Sequence, residues 1–314
     1  MDGPILGAWD ADPYFIETQA IENEIGPTSI TRNILQDRTG RMWFASWEGI
    51  MSYDGTKFTN HMNRDGLRRY HTFCVLEDRD GVLWFGTIGA GLYRFDGESF
   101  QNFATWDGLA NDRVGCILQD SKGVLWIGTQ EGISCFDGES FRNYTALDGL
   151  LSGDVNAIVE DRAGRMWIGT RGDSYVLDGQ TFTPITNGAG LTFQNIRTVI
   201  EDDAGNIWFG GNDGLWRFDG KEYKQFSKRF TGYLFQDRNG QIWASASTSN
   251  PIYVMSIYQV DVENAQADGE HYVTMLDLPG QVFGITQDAK GDLWFGTQNG
   301  ALRFDGEFFH GLAD

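Results

Sequence analysis

The chain has 314 residues, of which 14% are aromatic, with 41 glycines against 6 prolines; this is a composition of short strands and tight turns that excludes disordered and collagen-like classes. A formal net charge of −20 opposes phosphate backbones and anionic lipid surfaces, so nucleic acid is not an expected partner. No apolar run approaches the roughly 18 residues of a membrane span, and no membrane insertion is expected.

Taken in order, residues 1–29 show no clear copy of the pattern that follows, although Tyr14-Phe-Ile-Glu17 and Ile25-Gly26 faintly echo one of its strands and a loop. They are expected to form an N-terminal perimeter segment beside one domain spanning 30–314. Met1-Asp-Gly-Pro4 has neither a basic start nor an apolar region, so no signal peptide is read, and these residues do not fix the compartment.

From Ile30 onward one stretch recurs seven times, in its clearest form as Asp120-Ser-Lys-Gly-Val-Leu-Trp-Ile-Gly-Thr129. The copies are marked by Trp43, Trp84, Trp126, Trp167, Trp208, Trp243 and Trp294, at intervals of 41, 42, 41, 41, 35 and 51 residues. A period near 41 is a repeat architecture. In the third copy, Val114 to Gln119 reads as a first strand and Asp120-Ser-Lys-Gly123 as a turn. Val124 to Thr129 is the second strand and Ile133 to Phe136 the third, and Asp137-Gly138 makes a hairpin into Ser140 to Thr145. Four strands per copy make one propeller blade, so the expected fold is all-β, a single seven-bladed β-propeller with four antiparallel strands per blade. Runs such as Val-Leu-Trp-Ile are continuous rather than alternating, which places the second strand between two packed faces and the Trp in the core. The Gly-Thr that follows lets neighbouring backbone approach.

The copies are not equal. Blade one has Trp43-Phe-Ala-Ser46 and carries Trp47 and Glu48 in its middle turn. Blades two and three are regular, blade four places Arg171-Gly-Asp-Ser-Tyr175 in that turn, and blade five has Trp208-Phe-Gly-Gly211. The link into blade six, Ser227-Lys-Arg-Phe-Thr231, is short, while after Trp243-Ala-Ser-Ala246 the Asp-Gly hairpin gives way to a longer stretch reaching Pro279. Blade seven is regular around Trp294, and all four of its strands are expected from the C-terminal residues.

The pattern Ile-x-x-Asp-x-x-Gly-x-Leu-Trp-Phe-Gly-Thr followed by Gly-Leu-x-Arg-Phe-Asp-Gly resembles the repeat of the two-component regulator propeller family over residues 30 to 312. The resemblance implies a sensor-type module, in that family most often the periplasmic half of bacterial hybrid histidine kinases responding to oligosaccharides. A periplasmic or extracellular location follows by resemblance only, and a cytoplasmic one stays open. The second propeller, small sandwich domain, membrane helix and kinase of such sensors are not seen in this sequence, so no kinase activity is expected of it.

In a propeller, the loops from strand four to the next strand one, and from strand two to three, gather on one face around the central channel. Here they hold Arg32, Arg68, Arg69, Tyr70, His71, Arg113, Arg171, Tyr175, Asn195, Arg197, Arg229, Phe230 and Phe283, with Trp47, Trp106 and Glu48 nearby. Arginine's planar fork holds carboxylates bidentately, so the candidate ligand-binding set is Trp47, Arg68, Arg69, Tyr70, His71, Arg113, Arg171, Arg197, Arg229, Phe230 and Phe283. The expected ligand is an oligosaccharide or an anionic small molecule. A competing reading pairs these arginines with Asp107, Asp112, Asp148, Asp154 and Asp173 as surface ion pairs.

Two other functions stay open. A lyase or hydrolase would need a base, and Tyr70 with His71 is the pairing nearest the expected mouth, although the metal-linked histidine and glutamate pattern of streptogramin lyases is not matched. A protein-docking scaffold would use Phe230, Phe283 and Trp47. No catalytic motif, metal site or cofactor is expected, because Asp78-Arg-Asp-Gly81 and Asp202-Asp-Ala-Gly205 lack the further carboxylates of a calcium loop. Cys74, Cys116 and Cys135 are expected to be buried free thiols, and the protein to be a monomer. The short link and the long stretch around blade six predict a groove running outward past Arg229, Phe230 and Tyr233, unless the long stretch folds over it.

Overall fold

The computed structural model describes residues 21–61, 71–248, 255–262, 272–277 and 281–312. Its strands form seven antiparallel sheets, six of four strands and one of five. Each sheet takes its strands consecutively from the chain, and blade seven is made of residues 282 to 311. The fifth strand belongs to blade one, where Ile21–Asn23 pairs with the outer strand Phe58–Asn60. Tyr14 to Thr18 lies outside the described residues.

The innermost strands, Thr31–Gln36, Thr72–Glu77, Val114–Gln119, Val155–Glu160, Ile196–Glu201, Thr231–Gln236 and Val282–Gln287, each touch the next, and the last touches the first. The disc is closed. Every second strand is buried along its whole length, as in Leu125–Thr129, which accounts for its unbroken apolar sequence. All seven marker tryptophans are at most 9% exposed, and each sits in a different apolar cluster between two neighbouring blades. Trp208, for example, packs with Leu234 and Ala244 of blade six, and Trp294 with Phe44 and Met51 of blade one.

The turn aspartate has a second duty beyond the turn. Asp120 accepts the backbone N–H groups of Lys122 and Val124 on Oδ1 and the indole N–H of Trp126 on Oδ2, the last at 2.9 Å. The indole bond recurs in all seven blades at 2.7 to 2.9 Å. Each buried Trp therefore has its one polar atom satisfied, which is what makes so large a side chain tolerable there. At Asp78 both oxygens are likewise taken by its own turn and by Trp84.

The glycine after the Trp faces the next blade. A Cβ on Gly128 would lie 2.4 Å from Cys116 Sγ and 2.8 Å from Val155 Cγ1, so a side chain does not fit. Thr129 then donates its hydroxyl to the carbonyl of Gly132 and ties down the middle turn. Cys74, Cys116 and Cys135 are free; Cys74 and Cys135 are buried and Cys116 half-buried, and burial holds all three thiols high, Cys116 and Cys135 to about 12.

A ring of hydrogen bonds closes the floor of the channel. The backbone N–H after each turn aspartate donates to the Gln or Glu that ends the next blade's inner strand. The donors are Arg38, Arg79, Ser121, Arg162, Asp203, Arg238 and Ala289, and the acceptors Glu77, Gln119, Glu160, Glu201, Gln236, Gln287 and Gln36, at 2.5 to 3.1 Å. Arg38, Arg79, Arg162 and Arg238 reinforce four of these junctions by donating to backbone carbonyls of the next blade.

Candidate functional site

At the opposite end the same inner strands do something different. In every blade the pairing of the first strand with the second skips one residue, a β-bulge, near the strand's start. A bulge re-aims the skipped side chain. The skipped residues are Arg32, Phe73, Gly115, Asn156, Arg197, Gly232 and Phe283, and all seven line one cavity of about 660 Å³ in the mouth of the channel. That volume lies in the range of small-ligand sites, about 300–1,000 Å³. The rim adds Trp47, Gln130 and Arg171 from the ends of second strands, and Arg113, Asp154, Phe230 and Gln281 from the starts of first strands.

Four arginines and one carboxylate, Asp154, thus line the cavity. Arg171 Nε pairs with Asp154 Oδ2 at 2.9 Å. Arg197 donates to Asn156 Oδ1 at 3.2 Å, and Arg113 to Gln130 Oε1 at 3.2 Å. Arg32 lies between two aromatic rings, its guanidinium carbon 4.0 Å from the centroid of Phe73 and 4.6 Å from that of Phe283. Its Nε is shut off from solvent and has no hydrogen-bond partner, and the same holds for the indole N–H of Trp47. Burial, with the charges of Arg197 and Arg171 added, pulls Arg32 down to about 10. Burial followed by Arg171 lowers Arg197 as well. Both shifts come first from burial, and the neighbouring arginines add to them, while Asp154 partly offsets the shift of Arg197. Beside Arg197, Asn195 at φ 51° takes the left-handed conformation that few residues other than glycine adopt.

Of the residues named from sequence, Trp47, Arg113, Arg171, Arg197, Phe230 and Phe283 come together in this cavity, as does Arg32. His71 stacks on Trp47, ring centroids 4.8 Å apart and planes 10° from parallel. Arg229 donates instead to Tyr258 Oη, at 3.1 Å, within blade six. Arg68, Arg69 and Tyr70 lie outside the described residues. Among the described residues, the proposed pairing of the arginines with loop aspartates holds for Asp154 alone. Asp107 and Asp148 accept backbone N–H groups of Ala104 and Thr145 at 3-10 turns, Asp112 accepts that of Thr105, and Asp173 accepts the side chain of Gln194.

Sequence reading missed Phe73, Asn156 and Gln281. A signal was present, since every bulge residue stands eleven positions before its marker Trp, as in Arg32 and Trp43 or Phe283 and Trp294. The link into blade six is short as expected, with residues 228 to 230 alone separating Tyr223–Ser227 from Thr231–Gln236. Phe230 and Tyr233 face the cavity, while the turn at 249–251 on the other side of the expected groove lies outside the described residues. Two histidines are accounted for by structure: His61 stacks on Trp43, with burial holding it down to about 4, and His310 pairs with Asp305. Among the described residues no helix is long and apolar enough to cross a membrane, and no three His, Cys, Asp or Glu side chains gather as metal ligands.

Comparison with solved structures places the fold among known propellers. The extracellular domain of a protein described as a hybrid two-component system from B. thetaiotaomicron superposes with a TM-score of 0.72 at 21% identity, covering 92% of this chain and 41% of that one. A second extracellular domain from the same organism, described as a one-component system, gives 0.70 at 17% identity, covering 89% and 39%. Virginiamycin B lyase from Staphylococcus aureus gives 0.69 at 13% identity, covering 91% and 98%. This chain therefore spans about 40% of the length of the two extracellular domains. No curated protein sequence matches it. The two-component regulator propeller family matches at residues 66–89, 108–131, 149–172, 190–213 and 278–299, which are blades two, three, four, five and seven. The two unmatched blades are those in which Ala45 and Ser245 replace the interface glycine. These five blades match the two-component regulator propeller repeat.

Proposed function

We propose that this propeller is a sensor-type binding module that takes an oligosaccharide or an anionic small molecule in the mouth of its channel, with no kinase activity of its own. The carrying observation is the charge of the cavity: four arginines against one carboxylate, in a protein whose net charge is −20. Random placement on so acidic a molecule would not concentrate cations here, and holding Arg32 and Arg197 half-buried costs stability. An acidic ligand offsets that cost, because a carboxylate in an arginine fork gains charge-assisted bonds where water is scarce. Trp47 and Phe230 add the aromatic surface on which a sugar ring stacks. A periplasmic or extracellular setting is part of the reading, supported by the extracellular origin of the two B. thetaiotaomicron neighbours.

Titration calorimetry with neutral and acidic oligosaccharides and small carboxylates tests it, using Arg113→Ala/Arg171→Ala as the control. Binding of acidic members that weakens with salt and is lost in the double variant supports the proposal. Consumption of the bound sugar replaces it with a lyase or hydrolase. If no small molecule binds and only a protein partner does, the docking reading takes its place.

A further inference from the structure

The inner strands of blades seven, one and two are neighbours in the ring, and their bulge positions read Phe283, Arg32, Phe73. That order explains the setting of the arginine. Each neighbouring blade contributes one ring, with the guanidinium carbon 4.0 Å from the centroid of Phe73 and 4.6 Å from that of Phe283, so both faces of the cation are covered. The Nε edge is shut as well. The two terminal nitrogens are not closed off, and among the described residues none gives Arg32 a hydrogen bond or an ion pair. What stays open is the outer edge of the guanidinium, on the cavity that Arg32 lines. The other three cavity arginines are engaged, Arg113 with Gln130, Arg171 with Asp154 and Arg197 with Asn156. Arg197 and Arg171 are near enough for their charges to bear on Arg32, so an anion at its open edge also feels their field.

We propose that Arg32 anchors the ligand's acidic group, and that Phe73 and Phe283, by holding the guanidinium edge-on, select a planar carboxylate over a tetrahedral phosphate or sulfate ester. This rests on the binding role proposed above and narrows its ligand to a carboxylic acid. Two parallel N–H groups match the two oxygens of a carboxylate lying in the guanidinium plane. A phosphate or sulfate ester also brings two oxygens into that plane, but its remaining oxygens project to either side of it, toward the two rings. A phenyl face carries partial negative charge and no donor, so an oxygen turned to it loses water and gains no bond. Arg32 is the binding residue of this arrangement, and Phe73 and Phe283 are its positioning residues.

Calorimetry with one hexose in four forms tests this: galactose, galacturonate, galactose 6-phosphate and galactose 6-sulfate. Galacturonate is expected to bind roughly tenfold or more tighter than each of the others, the size of a hydrogen bond to a charged group. In Arg32→Lys, which keeps the charge and loses the fork, galacturonate is expected to fall to the level of the phosphate and sulfate. In Phe73→Leu and Phe283→Leu the guanidinium is free to turn, and the ratio of galacturonate to galactose 6-phosphate affinity is expected to drop toward one with galactose unchanged. Melting curves check that each variant folds, and a purely structural role for the two rings would not move that ratio. An unchanged ratio in both leucine variants, or phosphate or sulfate binding as tightly as galacturonate to the wild type, overturns the carboxylate slot and leaves the acidic-ligand reading standing. If none of the three acids binds tighter than galactose, both fail.

Discussion

The two ends of the channel are built by the same seven strands and behave in opposite ways. At the floor, every blade ends its inner strand in Gln or Glu and takes a hydrogen bond from the blade before it. At the mouth, the corresponding bulge position is Arg, Phe, Gly, Asn, Arg, Gly and Phe around the ring. The floor joins the blades, so one geometry must serve seven times. The mouth has no repeated junction: its contacts between blades, such as Arg197 with Asn156 and Arg32 with Phe73 and Phe283, are each made once, and the residue skipped by the sheet differs from blade to blade. A repeat of this kind fixes the floor and leaves the mouth free to specify a ligand.

Breaking the shared side of that comparison is expected to cost most. Trp208 is fully buried and donates to Asp202 at 2.7 Å, so Trp208→Ala is expected to lose about 3–5 kcal/mol in urea unfolding. A loss below about 1 kcal/mol shows that the marker tryptophans are not the core of the blade interfaces. Gly128→Ala, which drives a Cβ against Cys116 and Val155, is expected to cost about 1–3 kcal/mol by the same measurement.

The mouth is expected to respond in the other sense. Folding lowers Arg32 from 12.5 to about 10, so at neutral pH the folded state carries its charge at a penalty, one relieved only as the pH climbs past 10. Arg32→Met is therefore expected to leave the melting temperature unchanged or to raise it, while anionic ligand binding is weakened. A clear fall in melting temperature makes Arg32 a structural residue. The smallest effect is at the exposed hairpins. Asp54 accepts bonds from the hydroxyl of Thr56 and the backbone N–H groups of Thr56 and Lys57, which lower it from 3.8 to about 2. A depressed carboxylate stabilises above its unfolded value and loses that contribution as the pH falls through the folded one. The difference in melting temperature between wild type and Asp54→Asn is thus expected above pH 4 and to vanish by pH 2; a difference independent of pH makes the turn geometry rather than the charge responsible.

The floor and the core were legible in the sequence because their physics repeats. Asp, Gly and Trp recur at fixed offsets since the turn, the close approach and the buried indole are needed in each blade, and Val114–Gln119 was readable to the residue. The mouth was legible only in part. Arg113, Arg171, Trp47 and Phe230 flank recognisable turns, and their placement followed from topology. Phe73 and Asn156 sit inside strands, where a polar or aromatic residue reads as ordinary sheet, and no local pattern announces that the sheet skips them. Blade one's fifth strand was missed for a related reason, since Ile21–Asn23 is too short to show alternation and is ordered by its partner Phe58–Asn60.

The floor hydrogen bonds all run the same way, from each blade to the one after it, and the bond from Ala289 to Gln36 at 2.6 Å continues that direction across the junction where no chain passes from outer to inner strand. Trp294 fills that junction as the other tryptophans fill theirs. In place of a covalent link, residues 26 to 30 form a strap: Gly26 donates to the carbonyl of Leu312 at 3.1 Å and Gly300 to that of Ser29 at 2.8 Å. The ring thus has a direction but no starting point. A circularly permuted chain, with its break moved to the link between blades three and four and its old seam sewn by a short linker, retains every one of these contacts.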